Sequence, residues 1–460
     1  MAAETETPVS PLTPPLAPES QVVWPERAHA QLACGIPVRM VERHTIPKFS
    51  LQFFVRSGTA AESAVSRGVA GLTSRLLRTG THTRDENAID DELRRIGADL
   101  GAGAGADSSW IVASGLSEFS SDLTTLVAEL ARNPAFPAAQ FDRERRNSVE
   151  AVKLNRSSPA FLASERFRSV LFGEHPYAVV SPTEAQVEAI TRELVLGFHL
   201  THYAPANALL LAVGDFSAAR LVEQLERAFG GWAGGEVEPA GATRPPSHFG
   251  RHVALVHIPG SVQTQITLGT LAVTREHPDW LRLTLANAIY GGAFHSRLVA
   301  NIREQKGYTY SPGSGVTALR RYGYFSVHAA VRNEVVAATL AETFYEMDRI
   351  RALAVRADEL ADAQAYLSGV FSLGISTLDG LAGQLATLYL YDLPEDYLET
   401  YRERIRALTA EDVLAAARAH FDSANAQIVL AGDADQIEEQ ARLFGDVQVF
   451  DAQGKLLSSD

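Results

Sequence analysis

Histidine spacing offers the first chemistry to weigh. His199 and His202 stand three residues apart, on one face of a helix, where two imidazoles could share a metal. A packing role is the plainer reading, because His202 falls in a repeated segment described below. His252 and His257 flank an apolar run of strand type and would face opposite sides of it. No His-Glu-x-x-His motif and no Gly-x-Ser-x-Gly nucleophile turn is present. The alternating glycines Gly101, Gly103 and Gly105 open no loop that ends in Lys-Ser or Lys-Thr, so no phosphate cradle is expected. The single cysteine, Cys34, cannot form an internal disulfide or a cysteine-based zinc site. Its neighbours read as the start of a strand, with the thiol buried.

The chain that must position any such group has 460 residues, 46% apolar and 21% charged. That is ordinary for a folded protein and gives room for two or three domains. No window approaches 18 consecutive apolar residues, so no membrane-spanning helix is expected. Basic residues number 41 and acidic residues 55, a net charge of −14 without a Lys/Arg block, which argues against a nucleic-acid partner. Residues 1–29 read as a proline-rich, disordered lead-in. The start lacks the basic residues and apolar stretch of a secretory signal. The protein is expected to be soluble: cytoplasmic as written, or periplasmic if it is a mature form whose signal was removed.

Glycines and prolines concentrate again between Gly230 and Gly250 and read as a linker, 230–250. It separates a half at 30–229 from a half at 251–450. The halves look duplicated. Shifted by 218 residues, Thr191–Asp215 falls on Thr409–Asp433 with ten identities in 25 positions. His202 meets His420, Ala206-Asn207-Ala208 meets Ala424-Asn425-Ala426, and Gly214-Asp215 meets Gly432-Asp433. Each copy reads as a Thr-capped helix followed by a short buried strand. Elsewhere Val38–Val41 and Leu51–Val55 read as paired strands, and Trp110–Gly115 and Tyr322–Ala330 as strands of hairpins. Segments 88–96, 123–131, 281–290, 336–350 and 358–373 read as amphipathic helices. The fold class is α+β: two similar domains, each a mostly antiparallel sheet with helices packed on one face.

The most specific stretch runs from Tyr290 to Ser311, with Gly291-Gly292-Ala293-Phe294, Ser296-Arg297-Leu298, Arg303-Glu304, Gly307 and Tyr310-Ser311. It resembles the second-domain signature of the pitrilysin and mitochondrial-processing-peptidase family, the inverzincins. Glu174-His175-Pro176-Tyr177 and the strand Gln263–Thr270 resemble that family as well. The resemblance covers about residues 30 to 445, and the family's subunits are two similar α+β domains.

The resemblance implies a zinc site in the first domain, built on His-x-x-Glu-His with a distal glutamate. Two histidines at i and i+4 share a helix face and bind Zn²⁺, while the glutamate takes a proton from the metal-bound water. Here the framing residues Gly68-Val69-Ala70 and Leu76-Leu77-Arg78-Thr79-Gly80 are intact, with five positions between them. The chemical positions hold Gly71, Ser74 and Arg75, and the distal position is Ala151, eight residues before Pro159. Glu150 is adjacent but turned by about 100° on a helix. Glycine offers no ligand, and arginine sets a permanent cation where the metal would bind. No zinc is therefore expected in this chain.

What the resemblance leaves in place is Arg303 and Tyr310, matched to a pair that holds peptide substrate. A guanidinium and a phenol can donate to a peptide carbonyl or its tetrahedral oxyanion. Read from spacing alone, Arg303 is sooner a solvated helix residue or one paired with Glu304 or Glu342, and Tyr310 a packed strand residue; the matched signature around them reverses that order. Arg297 reads as a helix support, and Gly291 and Gly292 as points of close backbone approach. The resemblance implies a non-catalytic, substrate-binding subunit of a heterodimeric zinc endopeptidase. It would act on unfolded peptides, beside a homologous partner that carries His-x-x-Glu-His and the zinc. The alternative it leaves is an inert peptide-binding or assembly subunit with no protease partner.

Overall fold

The computed structural model describes residues 24–234, 237 and 243–459. Among them the strands form two sheets. The first holds β1 (Arg27–Gln31), β2 (Pro37–Glu42), β3 (Lys48–Val55), β4 (Asp99–Ala104), β5 (Ser109–Leu116) and β6 (Ala208–Gly214), in the order β1-β2-β6-β3-β5-β4. The second holds β7 (His252–His257), β8 (Gln263–Ala272), β9 (Gly313–Ala318), β10 (Gly323–Arg332), β11 (Gln427–Gly432), β12 (Asp446–Phe450) and β13 (Leu456–Ser459), in the order β13-β12-β7-β11-β8-β10-β9. Both are mostly antiparallel. The parallel pairs are β2 with β6 in the first sheet, and β7 with β11 and β12 in the second.

The duplicated segment is the same device in each half. Thr191 accepts a hydrogen bond from the Leu194 amide, and Thr409 from the Asp412 amide, so each caps its helix. The strand that follows, β6 or β11, is buried on both faces and takes a central place in its sheet. Its even and odd residues therefore need two separate apolar covers.

One cover is local. Phe49, Leu51, Phe53 and Leu210 pack against the first half's own helices, Val69–Leu76, Ser120–Arg132 and Ala218–Phe229. The opposite face comes from the other half. Phe54, Leu209, Leu211 and Val213 pack on Leu381, Leu385 and Leu388 of helix Leu378–Leu390. Reciprocally, Ala254, Val256, Val429 and Ala431 of the second sheet pack on Leu162, Phe167 and Leu171 of helix Pro159–Phe172. Each fully buried leucine adds about 2 kcal/mol, so these exchanged helices fasten the halves together.

Several local expectations change. β2 and β3 do not pair with each other; β6, from far along the chain, lies between them. β1 starts at Arg27, inside the expected lead-in of 1–29, and Trp24 packs against Phe371. The first 23 residues lie outside the described residues. The second sheet runs on to Ser459, past the expected limit of 450. Of the expected linker 230–250, residues 235, 236 and 238–242 also lie outside the described residues. Cys34 is half-buried in the turn between β1 and β2, not at the start of a strand. Gly101 and Gly103 lie on β4 and Gly105 just follows it; a side chain at Gly103 would meet the Trp110 ring at 2.5 Å.

Candidate functional site

Helix Val69–Leu76 carries the positions where the inverzincin motif would stand. Its first turn is capped by a side chain from upstream: the Glu62 carboxylate accepts the Gly68 and Ala70 amides at 2.9 and 2.8 Å. Burial pushes the Glu62 pKa up to about 7, against those two bonds and the charge of Arg67. Ser74 is fully buried; its hydroxyl donates to the Ala70 carbonyl at 2.9 Å and lies 3.4 Å from the Tyr203 hydroxyl. Arg75 reaches across to helix Ala138–Arg156, where its Nη2 donates to Ser148 Oγ at 2.6 Å. Desolvation lowers the Arg75 pKa and the nearby Glu144 opposes that shift.

Ala151 lies on the same helix as Ser148, one turn further on, and is exposed. Glu150 is exposed and pairs with Lys153 at 2.8 Å. These residues do not fit a zinc ion. Gly71 has no donor, Ser74 is spent on its own helix, and a guanidinium tied to Ser148 occupies the space between the two helices.

His199 and His202 follow separate fates. His199 is buried, donates through Nε2 to the Ala131 carbonyl at 2.8 Å and stacks on Tyr203. Desolvation drops its pKa to about 4. His202 packs on Phe198. Its repeat partner His420 instead bonds Asp279 at 3.0 Å, with His277 nearby. His257 accepts the Ala434 amide at 3.0 Å and lies beside Asp433, while His252 is exposed at the other end of β7.

The second-half signature forms two π-helical turns, Ala288–Gly292 and Val299–Gln305, a wider winding that frequently marks functional sites. They fit because Gly291 and Gly292 admit close neighbours. A side chain at Gly291 would meet Ser314 Oγ at 2.5 Å, and one at Gly292 would meet Asn287 Nδ2 at 2.5 Å. Tyr290 is fully buried and donates to the Thr343 carbonyl at 3.1 Å.

Arg303 stands on the second π turn and lies against two aromatic rings. Its guanidinium carbon lies 4.7 Å from the Phe294 ring centre and 4.9 Å from the Tyr310 ring centre. Both rings are open to solvent, Phe294 at 69% exposure and Tyr310 at 80%. Arg303 pairs with Glu304 at 3.2 Å, while Glu342 is taken by Lys306 and Asn301. Arg297 is different. It makes a two-pronged bond to Glu359, at 2.6 and 2.8 Å, with only 9% of its side chain exposed. Phe294 was not marked by sequence reasoning; it sits in the signature itself, but only the fold brings it to Arg303.

Residues 38–178 match the model for insulinase, peptidase family M16, and residues 189–367 match the peptidase M16 inactive domain. The chain belongs to peptidase family M16. Among M16 relatives, an uncharacterized zinc protease of Rickettsia bellii is 23% identical over 407 residues, covering 87% of this chain and 96% of that protein. An uncharacterized zinc protease of Mycobacterium tuberculosis is 25% identical over 371 residues, covering 80% and 85%. The crystal structure of a peptidase M16 inactive domain from Pseudomonas fluorescens is 29% identical with a TM-score of 0.80, covering 88% of this chain and 98% of that one. A protease from Helicobacter pylori shares the fold, with a TM-score of 0.83 at 19% identity over 89% and 99%. Among the described residues no helix is long and apolar enough to cross a membrane.

Proposed function

We propose that this M16 chain is the non-catalytic, substrate-binding subunit of a heterodimeric zinc metalloendopeptidase. One contrast carries the reading. The helix where the family's ligands would stand is closed by Ser74 and Arg75, while Arg303 stays half-buried against Tyr310, whose ring is open to solvent. The match to an inactive-domain model and the similarity to an inactive M16 domain support it.

In this reading the partner is a homologous subunit with His-x-x-Glu-His, and its bound zinc supplies the activated water. This chain's residues bind and orient. The Arg303 guanidinium and the Tyr310 hydroxyl donate to the carbonyl oxygens of an unfolded peptide and to the oxyanion that forms there. The aromatic rings limit the rotamers of Arg303, so less side-chain freedom is lost when peptide binds.

The test is reconstitution. The chain alone should cleave no peptide, and adding a His-x-x-Glu-His partner purified from the native host should give turnover that needs both subunits. An inert assembly subunit would form its complex without contributing to peptide turnover. Turnover by the isolated chain would contradict both readings.

A further inference from the structure

Each half carries the repeated Gly-Asp pair after its central strand, and the two copies satisfy the aspartate differently. In the first half Asp215 is partly exposed, and its Oδ1 accepts from His44 Nδ1 at 2.7 Å. In the second half Asp433 is only 6% exposed. Its Oδ2 accepts the Gly260 amide at 3.2 Å and the Gln436 side-chain amide at 2.8 Å. Gln436 is fixed in that role, because its own oxygen accepts Asn333 Nδ2 at 3.0 Å. The other oxygen, Asp433 Oδ1, is buried and has no donor among the described residues. A buried acceptor left in that state is costly.

The neighbour of Oδ1 does not donate to it. His257 Nδ1 stands 3.8 Å away, set there by the parallel pairing that places His257 beside Gly432. Nδ1 accepts the Ala434 amide at 3.0 Å, so in the neutral ring it carries a lone pair and no proton. Two acceptors therefore stand close with no hydrogen between them. Helix capping does not account for the aspartate either. Asp433 precedes helix Ala434–Ala441, yet its side chain caps none of that helix's amides. Asp435, exposed on the first turn, adds a second carboxylate. One ligand atom from each of His257, Asp433 and Asp435 lies within 4.8 Å of the others. Ligands about 2.2 Å from one ion stand at most about 4.4 Å apart, so the trio has only a little to close.

We propose that His257, Asp433 and Asp435 bind one divalent transition-metal ion, with water completing its shell. One imidazole and two carboxylates make a mixed, oxygen-rich set that suits Mn²⁺. The ion gives Asp433 Oδ1 the positive neighbour it lacks. Ligation by His257 takes the Nδ1 lone pair from the Ala434 amide, trading one neutral hydrogen bond for a metal bond. The bound ion pins the end of β7 to the start of the helix after β11. The proposal does not depend on the role given to Arg303 and Tyr310.

The test strips the full chain with EDTA, removes the chelator and titrates with Mn²⁺. Binding is read from the loss of the free-ion electron paramagnetic resonance signal and from thermal melting. One ion per chain is expected, with a raised melting temperature that EDTA reverses. Asp435→Asn, at an exposed position where the fold is not at risk, should weaken binding by about tenfold or more. His257→Gln removes the imidazole and no carboxylate, and should weaken binding by a similar factor. His277→Gln alters a different cluster, that of His277, Asp279 and His420, and should leave binding unchanged. Absence of saturable binding to the unsubstituted chain overturns the site. So does binding that survives Asp435→Asn and His257→Gln, or that is lost in His277→Gln.

Discussion

The Arg75 guanidinium and the Ser148 hydroxyl meet at 2.6 Å and tie helix Val69–Leu76 to helix Ala138–Arg156. The bond joins the helix that holds Gly71, Ser74 and Arg75 to the helix that holds Ala151. A charge-assisted bond thus links those helices from within the chain. Arg75→Ala is expected to lower unfolding stability by about 1 kcal/mol, read by urea denaturation. It should not create zinc binding, because Gly71 and Ala151 still offer no ligand.

Arg297 and Arg303 are six residues apart and should behave as opposites. Arg297 is nearly enclosed and holds Glu359 with two bonds, so Arg297→Ala leaves a half-buried carboxylate unpaired and should cost about 3 kcal/mol. Arg303 pairs with an exposed Glu304, so Arg303→Ala should change stability by less than about 1 kcal/mol. Thermal melts of the two variants check this directly.

Two buried groups pull stability in opposite directions over one pH window. The Glu62 pKa is raised to about 7, so the folded state holds its proton more tightly than the unfolded chain does. Its contribution is lost as pH rises from about 4.3, the ordinary glutamate value, through about 7. The His199 pKa is lowered to about 4, so the unfolded chain binds that proton first. Its contribution is lost as pH falls from 6.5 toward 4. Glu62→Gln removes only the first effect. Its stability should therefore climb more steeply with pH than that of the unsubstituted chain, measured by urea melts at intervals between pH 4 and 7.

Phe294 and Tyr310 flank one guanidinium, and their loss should be felt differently. Phe294→Ala frees the Arg303 side chain without removing a donor, so it should raise KM for a peptide more than it lowers kcat. Tyr310→Phe keeps the ring and removes the hydroxyl, so it should lower kcat. Steady-state kinetics of the two-subunit complex separates the two outcomes.

The sequence made the duplication legible because a capped helix and a buried strand are local objects. Thr191, Thr409 and the two Gly-Asp turns carry their own signals. What it hid is long-range. Val38–Val41 and Leu51–Val55 are close in sequence and read as partners, yet β6 lies between them. Periodicity shows that a strand has two apolar faces and not which helix covers each one. The exchanged helices Leu378–Leu390 and Pro159–Phe172 therefore had no local mark. The same limit hid Phe294 beside Arg303.

Partner-dependent peptide turnover by the Arg303→Ala variant tests the central claim most directly. With the catalytic subunit from the native host, the complex should assemble as before while kcat falls by about 100-fold, the loss expected for one oxyanion donor. Turnover equal to that of the unsubstituted complex would contradict the account.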